Sequence, residues 1–481
     1  MSSDLKSSTI NGLLWSCLER MSGQLVGFIV IVIMSRLLTQ DDYGIVGMLM
    51  IFIDIAQTLV DSGITQALIR KTDRGQVDCS TAFFLNICLS LILYLILFVC
   101  APYIADFYEQ PQLVILTRII SLSIIINALM MVQKSLFSIK IDFKTQTKAS
   151  LSSSIISGVA GIIMAYSGFG LWSIVIYQLL NLAITAIILW LLSDWRPIMA
   201  FSWNSFKYFF SFGSKLTVAG LMHTVYKDIY LAAIGKVYNA SSLGLYTRAH
   251  QFGALPSYNL SNIVQRVSYP VLCRFQDDSD KLRATFVKFL RCTVFCVFPL
   301  MIGLSVLSEP LVVVLLGESW RTSGTYLSVL CLSMMWMPVD SLNLNLLQVR
   351  GRTDYYLRCE IWKKIFGIGI LFSTLPMGLM AMCWGQFLRA IIDLIIDTHY
   401  TGRFLRLGLI SQMKEILPTC IYTFIMAICV LLCVRIIDSD FLKLILGLVV
   451  GVVVFIFLSM MTNSIEYREF SQLISKLRKK K

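Results

Sequence analysis

The chain has 481 residues, 57% of them hydrophobic and only 14% charged, with 41 Lys and Arg against 28 Asp and Glu for a net charge of +13. So little charge excludes an ordinary soluble surface, because a soluble chain of this length divides into about three domains joined by polar linkers. Instead, apolar runs recur from end to end, among them "LVGFIVIVIM" (25–34), "LSLILYLILFVCA" (89–101), "AITAIILWLL" (183–192) and "LKLILGLVVGVVVFIFLSMM" (442–461), and the polar stretches between them hold no extramembrane domain.

The sequence predicts an all-α integral membrane protein with fourteen spans near 10–36, 45–66, 82–104, 113–137, 149–167, 170–193, 213–236, 247–266, 286–308, 325–348, 360–376, 378–399, 416–436 and 441–463. Each is roughly 20 residues, the length that crosses a hydrocarbon core ~30 Å thick, and helices are the default because irregular backbone cannot face lipid. The first run is too long for the apolar core of a cleavable signal and lacks a small-residue cleavage site, so it is expected to remain as a span. The second and eighth spans are the most polar, carrying Asp54, Gln57, Gln251 and Asn259. Before the seventh, "SWNSFKYFFSFGSK" (202–215) sets Phe206, Phe209 and Phe210 at helical spacing beside Lys207, which reads as an interfacial amphipathic helix leading into that span. The tail "IEYREFSQLISKLRKKK" reads as a helix on the cytoplasmic leaflet, with Phe470, Leu473, Ile474 and Leu477 on its apolar side.

Placing the N-terminus in the cytoplasm puts most of the 41 basic residues on inside segments and leaves outside only Arg36, Lys236, Arg248, Arg321, Arg435 and Lys443. That asymmetry is the positive-inside signature, and it favours an even number of spans with both termini inside. The basic excess is therefore mostly topology, and no nucleic-acid partner is implied. The thirteen cysteines sit mostly in apolar spans without a CxxC, so Cys292/Cys296 and Cys429/Cys433 read as small packing residues and neither a metal site nor a disulfide framework is expected.

Residues 12–48 can be laid on residues 213–249 at an offset of 200 to 201, matching Gly12 to Gly213 and Tyr43-Gly44 to Leu243-Gly244. Both copies run from a long helix through a short polar link to the next helix. The offset equals six spans, an even number, so both halves enter the membrane in the same direction. Parallel repeats about an axis along the membrane normal, with a site at their interface near the midplane, are the expectation. The lobes are 1–196 (spans one to six) and 197–404 (spans seven to twelve), followed by spans thirteen and fourteen in 405–464 and a basic tail, 465–481.

The segments "SRLLTQDDYGIVGM", "LVDSGITQALIRK", "IGKVYNASSLGLYTRA" and "LPSYNLSNIVQRVSYPVLCRFQDD" resemble the bacterial Wzx-type polysaccharide (O-antigen or exopolysaccharide) flippases of the multidrug/oligosaccharidyl-lipid/polysaccharide exporter superfamily. The resemblance covers essentially the whole chain. It implies two six-helix lobes around a central cavity faced by the first and seventh helices, plus two C-terminal helices. It also implies translocation of a polyprenyl-diphosphate-linked oligosaccharide from the cytoplasmic to the periplasmic leaflet of the inner membrane, and it does not name the glycan.

Within "LMHTVYKDIYLAAIGK" (221–236), His223, Lys227 and Tyr230 stand at i, i+4 and i+7 on one face of the seventh span, and Ser16, Arg20, Gln24 and Gly27 recur similarly in the first. A charge near the bilayer centre is costly, so such a face should line water or protein. Two cationic stripes would make a positive cavity in which Arg20 and Lys227, with Gln24, hold the diphosphate while the sugars contact Tyr226 and Tyr230. The competing reading is structural pairing, in which Lys227 and Asp228, about 100° apart on the helix, each pair with a neighbouring span, and likewise Glu19 and Arg20. His223 reads first as a packed core histidine and second as a proton-coupling group. Arg118 is expected to snorkel. Arg389, Asp393 and Asp397, at i, i+4 and i+8, form either an intrahelical ion-pair ladder or a coupling and gating device. Asp340, Asn343 and Asn345 are expected to hydrogen-bond across helices.

No catalytic group or cofactor is expected. Coupling to H+ or to Na+ is left open. Lipid-linked oligosaccharide and membrane lipids are the expected partners, with the polymerase and glycosyltransferases of the same pathway beside them. A membrane glycosyltransferase or polymerase would want carboxylates on a sizeable outer loop, whereas "SEPLVVVLLGESWRTSG" is short and mostly apolar. A cation-coupled drug exporter of the same superfamily would want an acidic cavity. A flippase for the peptidoglycan lipid precursor would share the chemistry.

Overall fold

A computed structural model describes residues 23–61, 63–71, 73–140, 142–462, 464 and 466–468, and among them every regular element is helical. The chain divides into two compact units, Met1–Gly244 and Leu245–Lys481.

The first unit holds α1 (Gly23–Leu37), α2 (Gln40–Asp61), α3 (Ile64–Arg70), α4 (Gln76–Tyr108), α5 (Leu113–Ile120), α6 (Leu122–Ile139), α7 (Phe143–Tyr166), α8 (Trp172–Leu192) and α9 (Trp203–Val237), and α10 (Ala240–Cys273) starts at its end. The second holds the rest of α10, then α11 (Ser279–Val306), α12 (Ser308–Leu316), α13 (Arg321–Met334), α14 (Met337–Val349), α15 (Thr353–Thr374), α16 (Leu379–Leu405), α17 (Leu409–Ile436) and α18 (Asp440–Met461). Among the described residues ten stretches of helix are long and apolar enough to cross a membrane, which makes the chain a multi-pass membrane protein. The equally long α9, α10 and α15 are more polar, interrupted by residues such as Lys227, Asp228, Arg248, Asn259, Glu360 and Lys363. Pro102, Pro256, Pro270, Pro299 and Pro418 sit inside helices; neighbouring helices can satisfy the backbone groups that proline frees in a membrane.

Burial sorts the helices. In the most apolar window of α4, and in that of α18, 22% of residues are buried; in Glu318–Val349, which contains α13 and α14, the figure is 67%. The first two present apolar side chains such as Val99, Tyr103, Val453 and Phe457 outward, where lipid would cover them, and the third is a core element.

The described residues of the expected spans lie mostly in helices, those of the second in α2 and α3. A Cβ on Gly63 would lie 2.4 Å from the Cα of Gly213, so α3 and α9 meet backbone to backbone. The segment 202–215 is not a separate interfacial helix but the first turns of a continuous 35-residue α9. Phe209 is fully buried with Leu68 and Phe83, while Trp203, Phe206 and Phe210 stack outward at centroid spacings of 4.7 and 5.9 Å. The compact unit that ends at Gly244 includes α9, which packs on α2, α3 and α4. Most of the tail, including Phe470, Leu473, Ile474 and Leu477, lies outside the described residues.

The first turns of α2 and α10 cross reciprocally. A Cβ on Gly44 would lie 1.7 Å from the carbonyl oxygen of Ala240, and one on Gly244 would lie 2.1 Å from that of Gln40. Only glycine permits so close an approach. These are the two glycines that the sequence repeat pairs.

Candidate functional site

The singled-out stretch lies in the second half of α9, which faces α2. Lys227 leaves α9 with a side chain 58% exposed, and its Nζ lies 3.1 Å from Asp54 Oδ2 on α2 and 3.4 Å from Asp228 Oδ1. Adjacent helical residues do not face each other, but the four-carbon stem of lysine lets the ammonium fold back to its neighbour. Asp228 is buried, and its Oδ2 has no hydrogen-bond partner among the described residues. One turn before Lys227, the hydroxyls of Thr224 and Thr58 are 2.8 Å apart. At the end of α2, Asp61 accepts a hydrogen bond of 2.9 Å from Asn127 on α6, and the charge of Lys134 on α6 acts on it. The polar residues of α2 at positions 54, 58 and 61 thus recur at helical spacing and meet α9 and α6 along one line.

His223 is exposed rather than packed in a core, so the reading as a core histidine does not hold. Tyr226 and Gln24 are half-buried. Tyr230 shares a helix face with His223 by spacing yet is buried, 4% exposed. The reason is local: near Gly235, α9 closes on α2 and α4, with Met48 and Tyr108 atoms 3.1 and 3.2 Å from where a Cβ would stand, so a face that is open at His223 is covered a few turns later. Glu19 and Arg20 lie outside the described residues. The expectation of a purely cationic stripe is corrected: Lys227 is flanked by two carboxylates, and among the described residues this face is not cationic on balance.

In the second unit the charged stripe of α16 does not form a full ladder. Arg389 Nε is 3.7 Å from Asp393 Oδ2 within the helix, but Asp397 turns instead to Lys363 on α15, with Nζ to Oδ2 at 2.5 Å. Asn343 behaves as expected, accepting from Thr401 at 3.0 Å and from Gln412 at 2.8 Å across helices, and Asn345 donates to Ser268 at 3.1 Å. Arg118 places its guanidinium 4.3 Å from the centre of the Phe98 ring. Lys363 is the charged residue that sequence reasoning passed over. Its signal was present but ambiguous: a Lys-Lys pair three residues into an expected span resembles the basic edge of that span.

A family model described as polysaccharide biosynthesis protein matches residues 33–325. The chain is 24% identical over 423 residues to the teichuronic acid biosynthesis protein TuaB of Bacillus subtilis (strain 168), covering 87% of each. It is 23% identical over 400 residues to the lipopolysaccharide biosynthesis protein WzxC of Escherichia coli (strain K12), covering 82% of this chain and 80% of that one. Among solved structures, the lipid II flippase MurJ in an inward closed conformation superposes with a TM-score of 0.75 at 16% identity, covering 95% of this chain and 99% of that one, which shows a shared fold.

Proposed function

The chain belongs to the polysaccharide biosynthesis protein family, and from that premise we propose that it is a flippase. It carries a polyprenyl-diphosphate-linked oligosaccharide across the inner membrane by alternating access, from the cytoplasmic to the periplasmic leaflet, for surface polysaccharide synthesis. The relatives named for teichuronic acid and lipopolysaccharide synthesis support the class of cargo. In this reading the chain has fourteen spans, as two six-helix repeats and two further helices, with both termini cytoplasmic. The reciprocal crossing of Gly44 on Ala240 and Gly244 on Gln40, spaced by the repeat offset, supports the repeat. The chain transports rather than catalyses, working beside the glycosyltransferases and polymerase that make and consume its cargo.

The observation that carries the proposal is the state of Lys227. Its ammonium stands within a membrane-length helix, is more than half exposed, and among the described residues is held by two carboxylates at 3.1 and 3.4 Å. Such a cation keeps donor capacity for another anion, and a diphosphate offers oxygens that take charge-assisted hydrogen bonds. Lys227, with Arg20 and Gln24, binds the diphosphate, and Tyr226 and Tyr230 contact the sugars. Asp54 and Asp228 hold the ammonium when the cargo is absent. His223, Glu19, Asp228, Arg389 and Asp393 serve coupling and gating, with H+ or Na+ as the coupling ion.

A second reading has one observation behind it. Because Asp54 and Asp228 outnumber Lys227, the same face could accept a cationic drug, as a cation-coupled exporter of the superfamily would require.

The test is export of surface polysaccharide in a host lacking its own copy. Lys227→Ala should abolish export while Lys227→Arg retains part of it, since the charge persists but the geometry changes. The double variant Lys227→Ala/Asp228→Asn separates binding from folding. If it accumulates normally and exports fully, the binding role is wrong. Unaltered polysaccharide together with lost drug resistance would favour the exporter.

A further inference from the structure

The second unit gathers a group of charges along α15 and α16, of which Lys363 and Asp397 are buried and Arg389, Asp393 and Asp340 are half-buried. Lys363 Nζ donates to Asp397 Oδ2 at 2.5 Å, the two side chains being 10% and 0% exposed, and Arg389 faces Asp393 at 3.7 Å. Asp340, on the first turn of α14, lies close enough to feel the charges of Lys363, Arg389, Asp393 and Asp397. It forms no ion pair among the described residues, and its Oδ1 is buried there without a hydrogen-bond partner.

Among the described residues the surrounding elements place no further cation in an ion pair with these carboxylates. On α15, Glu360 is cancelled by Lys364 at 3.8 Å. From α17 comes neutral Gln412, bonded to Asn343. The α10 helix brings Tyr246 onto Gln386, Ser268 onto Asn345, and Arg248, which donates to Gln251 of its own helix. The α13 helix brings the Ser333 hydroxyl to the Gln386 carbonyl, and the buried face of α11 is Leu282, Phe286, Leu290, Thr293 and Val294. Three carboxylates therefore share two cations: Asp397 is hydrogen-bonded to Lys363, Asp393 stands 3.7 Å from Arg389, and Asp340 forms no ion pair among the described residues, while the Oδ1 atoms of all three lack a hydrogen-bond partner there.

A surplus charge among these buried and half-buried groups is costly, and it is relieved by a counter-cation or by a proton. The place of a metal cation is already filled: the Lys363 ammonium sits against the most buried carboxylate, and among the described residues no three carboxylates converge to hold a metal. A proton on Asp340 instead removes the surplus charge and supplies the donor that its environment lacks.

We infer that Asp340 is a reversible proton-binding site, taking one proton from water and returning it, and that Lys363 is the tethered cation that keeps a metal ion out. Its use in driving transport rests on the flippase reading; the binding itself does not.

The test uses the full chain in lipid nanodiscs. Infrared difference spectra between alkaline and acidic buffer should show the carbonyl stretch of a newly protonated carboxylic acid, absent in Asp340→Asn and kept in Asp54→Asn. Raising sodium at constant pH and ionic strength should produce no such change and no shift in melting temperature. An unaltered band in Asp340→Asn overturns the proposal. So does a sodium-dependent melting shift of the unmodified protein that Asp340→Asn abolishes. Should that variant fail to fold, the unmodified protein still decides: no carboxylic-acid band across its stable pH range, or a band displaced by sodium, overturns the site. A band assigned to Asp340 in a protein whose polysaccharide export survives Asp340→Asn leaves the proton site standing and removes only its coupling role.

Discussion

Two lysines, one in each unit, show what burial does to the same chemistry. Lys227 and Lys363 both stand within long helices, and each is held by an aspartate from another helix. Lys227 is 58% exposed, its carboxylates are 3.1 and 3.4 Å away, and its cross-helix partner Asp54 is 32% exposed. Lys363 is 10% exposed, and its partner Asp397 is completely buried at 2.5 Å. Water competes for the first pair and not for the second. On the proposed reading the first ammonium is lent to a passing anion; the second cannot leave without stranding a buried charge. Exposure would then separate a site that exchanges ligands from one that fixes structure, though both appear in the sequence as a lysine in an apolar span.

The largest effect that would break this contrast is at Lys363. Lys363→Met removes one partner of a buried pair and should destabilise the fold by about 3–5 kcal/mol, enough to deplete the protein from the membrane. Lys363→Met/Asp397→Asn removes the stranded charge and should recover much of the loss, read as melting temperature in nanodiscs. If the single variant melts like the unmodified protein, the pair is not as dry as its geometry implies.

How much of this was legible in the sequence depends on distance along the chain. The spans were legible because apolar periodicity is local, and α9 was marked by the adjacency of Lys227 and Asp228. In the sequence Asp54 is only a polar residue in one of the two most polar spans, since its contact with Lys227 bridges 173 residues and leaves no local trace. Lys363 was hidden for the same reason, because its partner is 34 residues away and the adjacent Lys364 looks like an interfacial edge. The burial of Tyr230 failed to show because a helical wheel assumes one environment along a face, whereas α9 closes on its neighbours beyond His223. The stacking of Trp203, Phe206 and Phe210 was visible as a pattern, but only the structure shows it to be continuous with the spanning helix.

An intermediate effect sharpens the contrast. Lys227→Ala leaves Asp54 half in water but Asp228 buried, with one oxygen already unpartnered among the described residues. The expected cost is about 1–3 kcal/mol, the range for stranding a buried polar group, and below that at Lys363 because the lost ammonium was itself solvated. Lys227→Ala/Asp228→Asn should recover it. A loss as large as that of Lys363→Met would show that this ammonium is structural after all.

The smallest effect isolates the exposed half of the Lys227 site. Asp54→Asn removes a charge but leaves a carbonyl oxygen in nearly the same place, so Lys227 keeps a hydrogen-bond acceptor on α2 and its ion pair with Asp228. Because both Asp54 and the ammonium reach solvent, the Coulomb attraction lost is screened, and exposed pairs of this kind contribute about 0–1 kcal/mol. Melting temperature should therefore barely move, and the small shift should shrink further in high salt. At Asp397 the isosteric change has no solvent to fall back on: Asp397→Asn leaves the buried Lys363 ammonium facing a neutral amide and should cost several times more at any ionic strength. Equal, salt-insensitive losses from Asp54→Asn and Asp397→Asn would mean that exposure does not separate the two lysines, and the case for Lys227 as an exchangeable cation would fall with it.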